Sequence, residues 1–237
     1  MAFQRLLPFR KLLPVFALVL LLAACGGDPE PEETSDSDLN LESDPSGELS
    51  GKLLSAADMP GGWQPIENSG SEEVSPQEAG FCDSPIPDET NATASASAQF
   101  YKGEMTTRVV ATVVSYENPE QATEAFDKVQ ETIGTCKEWD VEEAGTVSRF
   151  KLSGASFPNV AEQTAGARVT SEFTVNAGSE QKPAPTEGFV TGDTVIARQQ
   201  NFIVVVRHFS IGVGAQPNFN AADTEPIVRS AVQKVTQ

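Results

Sequence analysis

Three cysteines, at positions 25, 82 and 136, and a single histidine, His208, have the widest covalent and acid–base repertoire in this 237-residue chain. A thiol can be nucleophile, metal ligand, disulfide half or lipid acceptor, and an imidazole moves protons near neutral pH. Spacing narrows these options. There is no CxxC pair, and one histidine cannot complete a usual zinc ligand set with two distant cysteines. GxSxG, P-loop and HExxH patterns do not occur. His208 follows Arg207 in "VVVRHFS"; a proton donor or pH sensor is its functional reading, and an ordinary strand-end residue is the expected one. Trp63 and Trp139 could stack a sugar but are expected to close a core edge, and Asp193 and Arg198 are expected on a solvated strand face. No metal, cofactor or catalytic residue is expected, so the chain reads as a non-enzyme.

The surroundings of Cys25 are the most specific signal. Arg5, Arg10 and Lys11 precede an apolar run, Leu12–Ala24, that contains Pro14. As a helix this run reaches about 20 Å, short of the about 30 Å of a bilayer core. A basic segment, a short apolar segment and a small-residue exit describe a secretory signal. The exit, Leu22-Ala23-Ala24-Cys25, resembles the bacterial lipobox, in which the cysteine sulfur receives a diacylglyceryl group and becomes the first residue after cleavage. An ordinary signal peptide or membrane anchor with an incidental cysteine is the alternative. The lipobox reading divides the chain into a lipoprotein signal peptide at 1–24, a lipidated Cys25 with a linker to residue 48, and a domain at 49–237. It places the protein at the cell membrane, lipid-anchored on the extracytoplasmic face.

With Cys25 lipidated, Cys82 and Cys136 remain as an even pair in an export context, where disulfides persist. The loop they would close is worth about 4 kcal/mol in the chain-entropy model; two separate buried thiols are the alternative. The formal charge is −18, and residues 26–48 hold nine acidic side chains and no Lys or Arg. That segment lacks the apolar content to offset ordering, so it reads as a disordered leash, about 26 Å end to end as a flexible coil. Residues 51–237 carry 25 acidic against 13 basic side chains, which disfavours nucleic acid and bare anionic lipid as partners.

The remainder suits one core. "LSGKLLSAAD" reads as a short helix over Leu49–Asp58, and 64–93 as an irregular loop pinned by Cys82. "ASASAQFYKGEMTTRVVATVVSY" reads as two strands around Lys102-Gly103. "NPEQATEAFDKVQETIGTC" is the clearest helix, with Asn118 as cap, Pro119 first in the helix, and Ala122, Ala125, Phe126, Val129 and Ile133 on one stripe. Further strands are expected near 145–152 and 167–176 and in "DTVIARQQ" and "NFIVVVRHF", the last two forming a hairpin about Gln200. "DTEPIVRSAVQKVTQ" gives a final helix capped by Asp223, with Ile227, Val228, Ala231, Val232 and Val235 inward. The expected fold is α+β: one domain with a twisted antiparallel sheet of about six strands packed with two main helices.

The stretches "LLSAADMP", "VVSYENPEQATEAFDKV" leading to "TCKEW", and "DTVIARQQNFIVVV", with the final amphipathic helix, resemble the extracellular sensor domain of PknH-type receptor kinases and of the actinobacterial lipoproteins that share it. The resemblance covers about residues 50–237. It implies an antiparallel α+β domain with a solvent-filled cleft for an unidentified ligand. That family is associated with two disulfides, where this chain offers one pair, and no kinase is attached here. The expected function is a lipid-anchored, non-catalytic sensor-type binding domain for a small envelope ligand or partner protein. A lipid or glycolipid carrier with an apolar cavity is the alternative, and a carboxylate-based hydrolase a weaker one.

Overall fold

The computed structural model describes residues 47, 49–66, 80–82, 84–104, 106–143, 146–175 and 186–237. The segments expected as signal peptide and linker, with Cys25, fall on residues 1–46 and 48, outside the described residues.

Among the described residues, eight strands form one sheet in the order β1-β4-β5-β10-β9-β8-β7-β6, and every neighbouring pair is antiparallel. They are β1 (Trp63–Pro65), β4 (Ala92–Lys102), β5 (Thr107–Tyr116), β6 (Glu138–Glu143), β7 (Thr146–Gly154), β8 (Gln163–Val175), β9 (Thr186–Gln199) and β10 (Phe202–Val213). Two short strands, β2 (Gly80–Phe81) and β3 (Ser84–Pro85), pair separately. The sheet therefore exceeds the expected six strands by β1 and β6, one at each edge. Pro65 suits an edge, where its missing N–H has no neighbour to serve. On β6, Glu138, Asp140 and Glu142 alternate along the strand, and charge on an edge discourages pairing with another chain.

The two main helices are α1 (Pro119–Thr135) and α2 (Thr224–Thr236). The Asn118 side chain accepts from the Gln121 N–H, Pro119 opens α1, and Ala122, Ala125, Phe126 and Val129 are buried. Asp223 stands at the N-cap position of α2 without a side-chain capping bond, and Ile227, Val228, Ala231, Val232 and Val235 are buried. The expected helix over Leu49–Asp58 is instead two 3-10 turns, Ser50–Lys52 and Ala56–Asp58. Ser55 is extended between them, and its N–H and hydroxyl both donate to Asp58 Oδ2, at 2.8 and 2.6 Å. That side-chain bond competes with helix continuation, and Gly51 weakens the first turn.

The helices take opposite faces. α2 packs with Leu49, Leu54 and Met59 over Phe100, Val109, Ala111, Val113, Val195, Val204 and Val206. α1 packs with Phe81 and Ile86 over Val114, Tyr116, Ile196, Ile203 and Val205. Central strands covered on both sides require apolar residues at successive positions, which is what Val109–Val114 and Ile203–Val206 supply. β5 and β10 form the seam between the two halves of the chain, with Ser210 opposite Thr107 and Phe202 opposite Ser115. The β9–β10 hairpin turns at Gln200, at a φ of 54°, and the β4–β5 hairpin uses Gly103 at 69°.

Gly192 sits opposite Phe209 in this hairpin. A Cβ there would stand 2.5 Å from the Phe209 Cβ and 2.6 Å from the His208 carbonyl oxygen. Because both obstacles lie at the paired backbone, Gly192→Ala is expected to lower stability by about 1–3 kcal/mol. An unchanged denaturant midpoint would show that the strands separate more readily than their registry suggests.

Candidate functional site

Three adjacent strands set a polar row across the sheet beneath α2. Asp193 on β9 lies opposite His208 on β10 and opposite Arg168 on β8. Thr224, the first residue of α2, closes over them. Arg168 Nε and Nη2 donate to the two Asp193 carboxylate oxygens at 2.8 and 3.1 Å. The Thr224 hydroxyl donates to Asp193 Oδ2 at 3.3 Å, and His208 Nδ1 lies 2.8 Å from the same hydroxyl. A hydroxyl has one proton to give. With that proton directed at the Asp193 carboxylate, Thr224 accepts from His208 Nδ1–H, which assigns the imidazole tautomer and leaves Nε2 as an acceptor.

This direction excludes Thr224 as an activated nucleophile in the arrangement seen: an activating imidazole must accept the hydroxyl proton, and here it donates to the oxygen. Access is closed as well. His208 is 0% exposed and Asp193 1%. The His208 ring lies between Trp63, 5.5 Å away edge-on, and Phe219, 4.8 Å away. The Arg168 guanidinium stands 5.5 Å above Phe219. At the margin, Lys102 bonds Asp223 at 2.9 Å and lies 5.7 Å from the Trp63 ring. Among the described residues, neither Trp63 Nε1 nor His208 Nε2 has a hydrogen-bond partner. Burial pulls the His208 pKa down to about 4, with Lys102 adding to it and Asp223 and Asp193 opposing; hydrogen bonding to Asp193 holds the Arg168 guanidinium above its usual value.

These positions correct two expectations. His208 is not a strand-end residue, because β10 runs five residues past it to Val213. Asp193 and Arg198 are not on a solvated face: Asp193 is the buried centre of the row, and Arg198 bonds Glu162 at 2.8 Å with little of its side chain exposed. Arg168, Thr224 and Phe219 carried no sequence signal of their own; only strand register and the return of α2 bring them to His208.

The opposite face holds the second feature. Cys82 and Cys136 form a disulfide with Cα atoms 5.9 Å apart, tying the end of α1 to the segment that contains β2 and β3. That segment delivers Asp88, whose carboxylate accepts from Thr90 and Lys128 and is thereby held at about 2. The Tyr116 hydroxyl donates to the Asp88 carbonyl at 2.7 Å, and burial, with Asp88 and Glu89 nearby, pushes it well above the usual phenol range. Arg207 Nη2 donates to the Ile86 carbonyl. An open hollow of about 410 Å³ lies here, lined by Asp88, Thr90, Lys128 and Val129 among others. Another, of about 450 Å³, lies at the ends of β7–β9 among Arg149, Glu172, Phe173 and Phe189. Trp139 stacks on Phe150 at 5.0 Å and meets Phe81, so it closes a core edge; Trp63 is buried in the opposite core. Among the described residues, no cluster of His, Cys, Asp and Glu could hold a metal ion, and no helix is long and apolar enough to cross a membrane.

The fold has a counterpart among known structures. The chain is similar to the crystal structure of the extracellular domain of PknH from Mycobacterium tuberculosis, with a TM-score of 0.54 and 14% sequence identity, over 81% of this chain and 97% of that one. At that identity the likeness establishes the fold: an α+β domain of the PknH extracellular type. No family model matches the chain, and no curated protein does.

Proposed function

We propose that the chain is a lipoprotein held to the outer face of the cell membrane by a diacylglyceryl group on Cys25, and that its domain at 49–237 is a non-catalytic, sensor-type binding module for a small envelope ligand or a partner protein. The observation that carries the reading is the likeness to nearly the whole of the PknH extracellular domain. The ordered basic segment, apolar segment and lipobox supply the location. The disulfide accords with an oxidising compartment.

Binding is favoured over turnover because the sole imidazole is buried and donates to the one hydroxyl it meets. Binding to a compact polar ligand is favoured over lipid carriage because both open hollows are lined by charged and apolar side chains together. A carrier needs an apolar cavity, and a hydrolase needs convergent, accessible acid–base groups.

Cys25→Ser is expected to shift the protein from the membrane fraction to the soluble fraction, or to leave it unprocessed. Mass spectrometry of the mature N-terminus checks this; a diacyl mass on the serine variant overturns the lipid anchor. For the binding role, thermal-shift measurements of the mature chain with envelope extracts run beside a screen of ester, glycoside and peptide substrates. A ligand-dependent rise in Tm without turnover is expected, whereas robust turnover abolished by one Asp or Glu substitution would establish an enzyme.

A further inference from the structure

The residues between β10 and α2 lie across the polar row as a strap. Gly214, at a φ of 73°, turns the chain out of β10, and its N–H donates to the Glu187 carbonyl at 2.8 Å. The return stroke runs close over the strand because Gly212 has no side chain: a Cβ there would stand 2.2 Å from the Ala215 carbonyl oxygen. Residues 214–216, 218 and 220 face solvent, whereas Phe219 turns inward and is half-buried. Phe219 is thus the plug over His208, with Arg168 on its ring. Beyond it the strap is fastened at two points, the Lys102–Asp223 ion pair and the Thr224 hydroxyl between His208 and Asp193.

We propose that this strap is a proton-gated latch: uptake of a proton by His208 lifts Phe219 and the first turn of α2 from the sheet and opens the corner that holds Trp63, His208 and Arg168. The closed corner is built for neutral imidazole. Nδ1–H already has its acceptor in Thr224, and Nε2 is buried with no hydrogen-bond partner among the described residues to accept from it once protonated. The charged groups around it come from every side. Asp193 on β9 is engaged by Arg168 of β8, Asp223 at the start of α2 is engaged by Lys102 of β4, and β1 and β5 present Trp63 and Val109, which do not titrate. Both carboxylates already face a cation, so neither is free to pair with an imidazolium, and lifting the strap hydrates it instead.

The sign follows from linkage. Closed, His208 titrates at about 4; in water an imidazole titrates near 6.5. A base whose pKa is depressed in the closed state weakens that state as pH falls below the open value, and the effect levels off near the closed one. The opening constant therefore rises about 30-fold between pH 7.5 and pH 5. Asp88 does not contribute in this window, because its carboxylate stays ionised down to about 2.

Backbone hydrogen exchange of the full mature chain, corrected for intrinsic rates, tests the latch at the two pH values. Opening of amides at 219–228 is expected to rise about 30-fold, while amides of α1 change by less than about threefold. An equal change in both segments means global unfolding and overturns the proposal, as does a strap that does not respond. His208→Gln is expected to abolish the pH dependence at 219–228. If that variant folds poorly, a ¹⁵N titration of His208 in the unaltered chain decides: Nε2 should be the unprotonated nitrogen at pH 7, and an imidazole titrating near 6.5 with the strap still protected overturns the latch.

Discussion

Arg168→Met is expected to lower the stability of the domain by about 3–5 kcal/mol, and Asp193→Asn by only about 1–2 kcal/mol. The two side chains make the same ion pair, but they do not leave the same residue behind. The Asp193 side chain is 0% exposed and that of Arg168 is 41%. Without the guanidinium, a fully buried carboxylate keeps, among the described residues, the 3.3 Å bond from the Thr224 hydroxyl alone, too little to offset desolvation of its charge. Without the carboxylate charge, the guanidinium can turn its exposed half to water, and the amide oxygen of asparagine still accepts a bond. Methionine keeps an unbranched apolar stem and removes the guanidinium, and with it the cation–π contact on Phe219, which adds less than the ion pair. Urea denaturation of both variants at pH 7 measures the difference. The reverse order, with Asp193→Asn the more damaging, would mean that Arg168 and not Asp193 is the buried partner.

Removing the disulfide is the second large effect. Replacing Cys82 and Cys136 together by alanine is expected to cost up to about 4 kcal/mol, because 54 residues separate the two half-cystines and the unfolded chain regains the freedom of that loop. A local loss adds to the global one. The bridge fixes the segment that presents Asp88 to Lys128 at 2.9 Å and to Tyr116, so exchange at 84–90 should rise more than exchange at β8–β9. Denaturation of the native protein with and without reductant checks the same point without mutation. Coincident midpoints would mean that the bridge joins two segments already close in the unfolded ensemble.

The sequence discloses elements more readily than relations between them. α1 is legible because its cap, its first proline and its apolar stripe all sit in one window, the strands β5, β9 and β10 because β-branched residues recur along them, and β4 because Ala94, Ala96, Ala98 and Phe100 alternate with polar residues. The hairpin at Gln200 follows from the same runs. β1 was missed because "WQP" is three residues long beside "PGG", and a strand that short is specified by its neighbour β4, not by its own composition. β6 escapes a sequence reading because "EWDVEE" is acidic, and its place comes from its register against β7, with Trp139 opposite Phe150 and stacked on it. β9 begins at Thr186, before the expected Asp193, since Gly188 and Gly192 weaken the strand signal there; Phe173 lies over Gly188, a contact made across strands. The polar row was illegible for a related reason. "VVVRHF" leaves both faces apolar around His208, so periodicity cannot say which face it takes, and its partners lie 15, 16 and 40 residues away along the chain.

The seam between β5 and β10 also governs when the domain can exist at all. The hydrogen bond between the Thr107 and Ser210 hydroxyls, at 2.9 Å, spans 103 residues, and the ladder on either side spans nearly as many. Local hairpins such as β4–β5 or β6–β7 can form early, but neither buries a face alone. The loop closure that joins them is the slow, non-local kind. A chain emerging from its N-terminus meets this requirement only after β10 has left the ribosome, and α2 follows β10. Until then β5, whose two faces are both apolar, has an open edge. The period of exposure to aggregation or proteolysis therefore lasts until β10 has paired with β5 and α2 has covered the sheet.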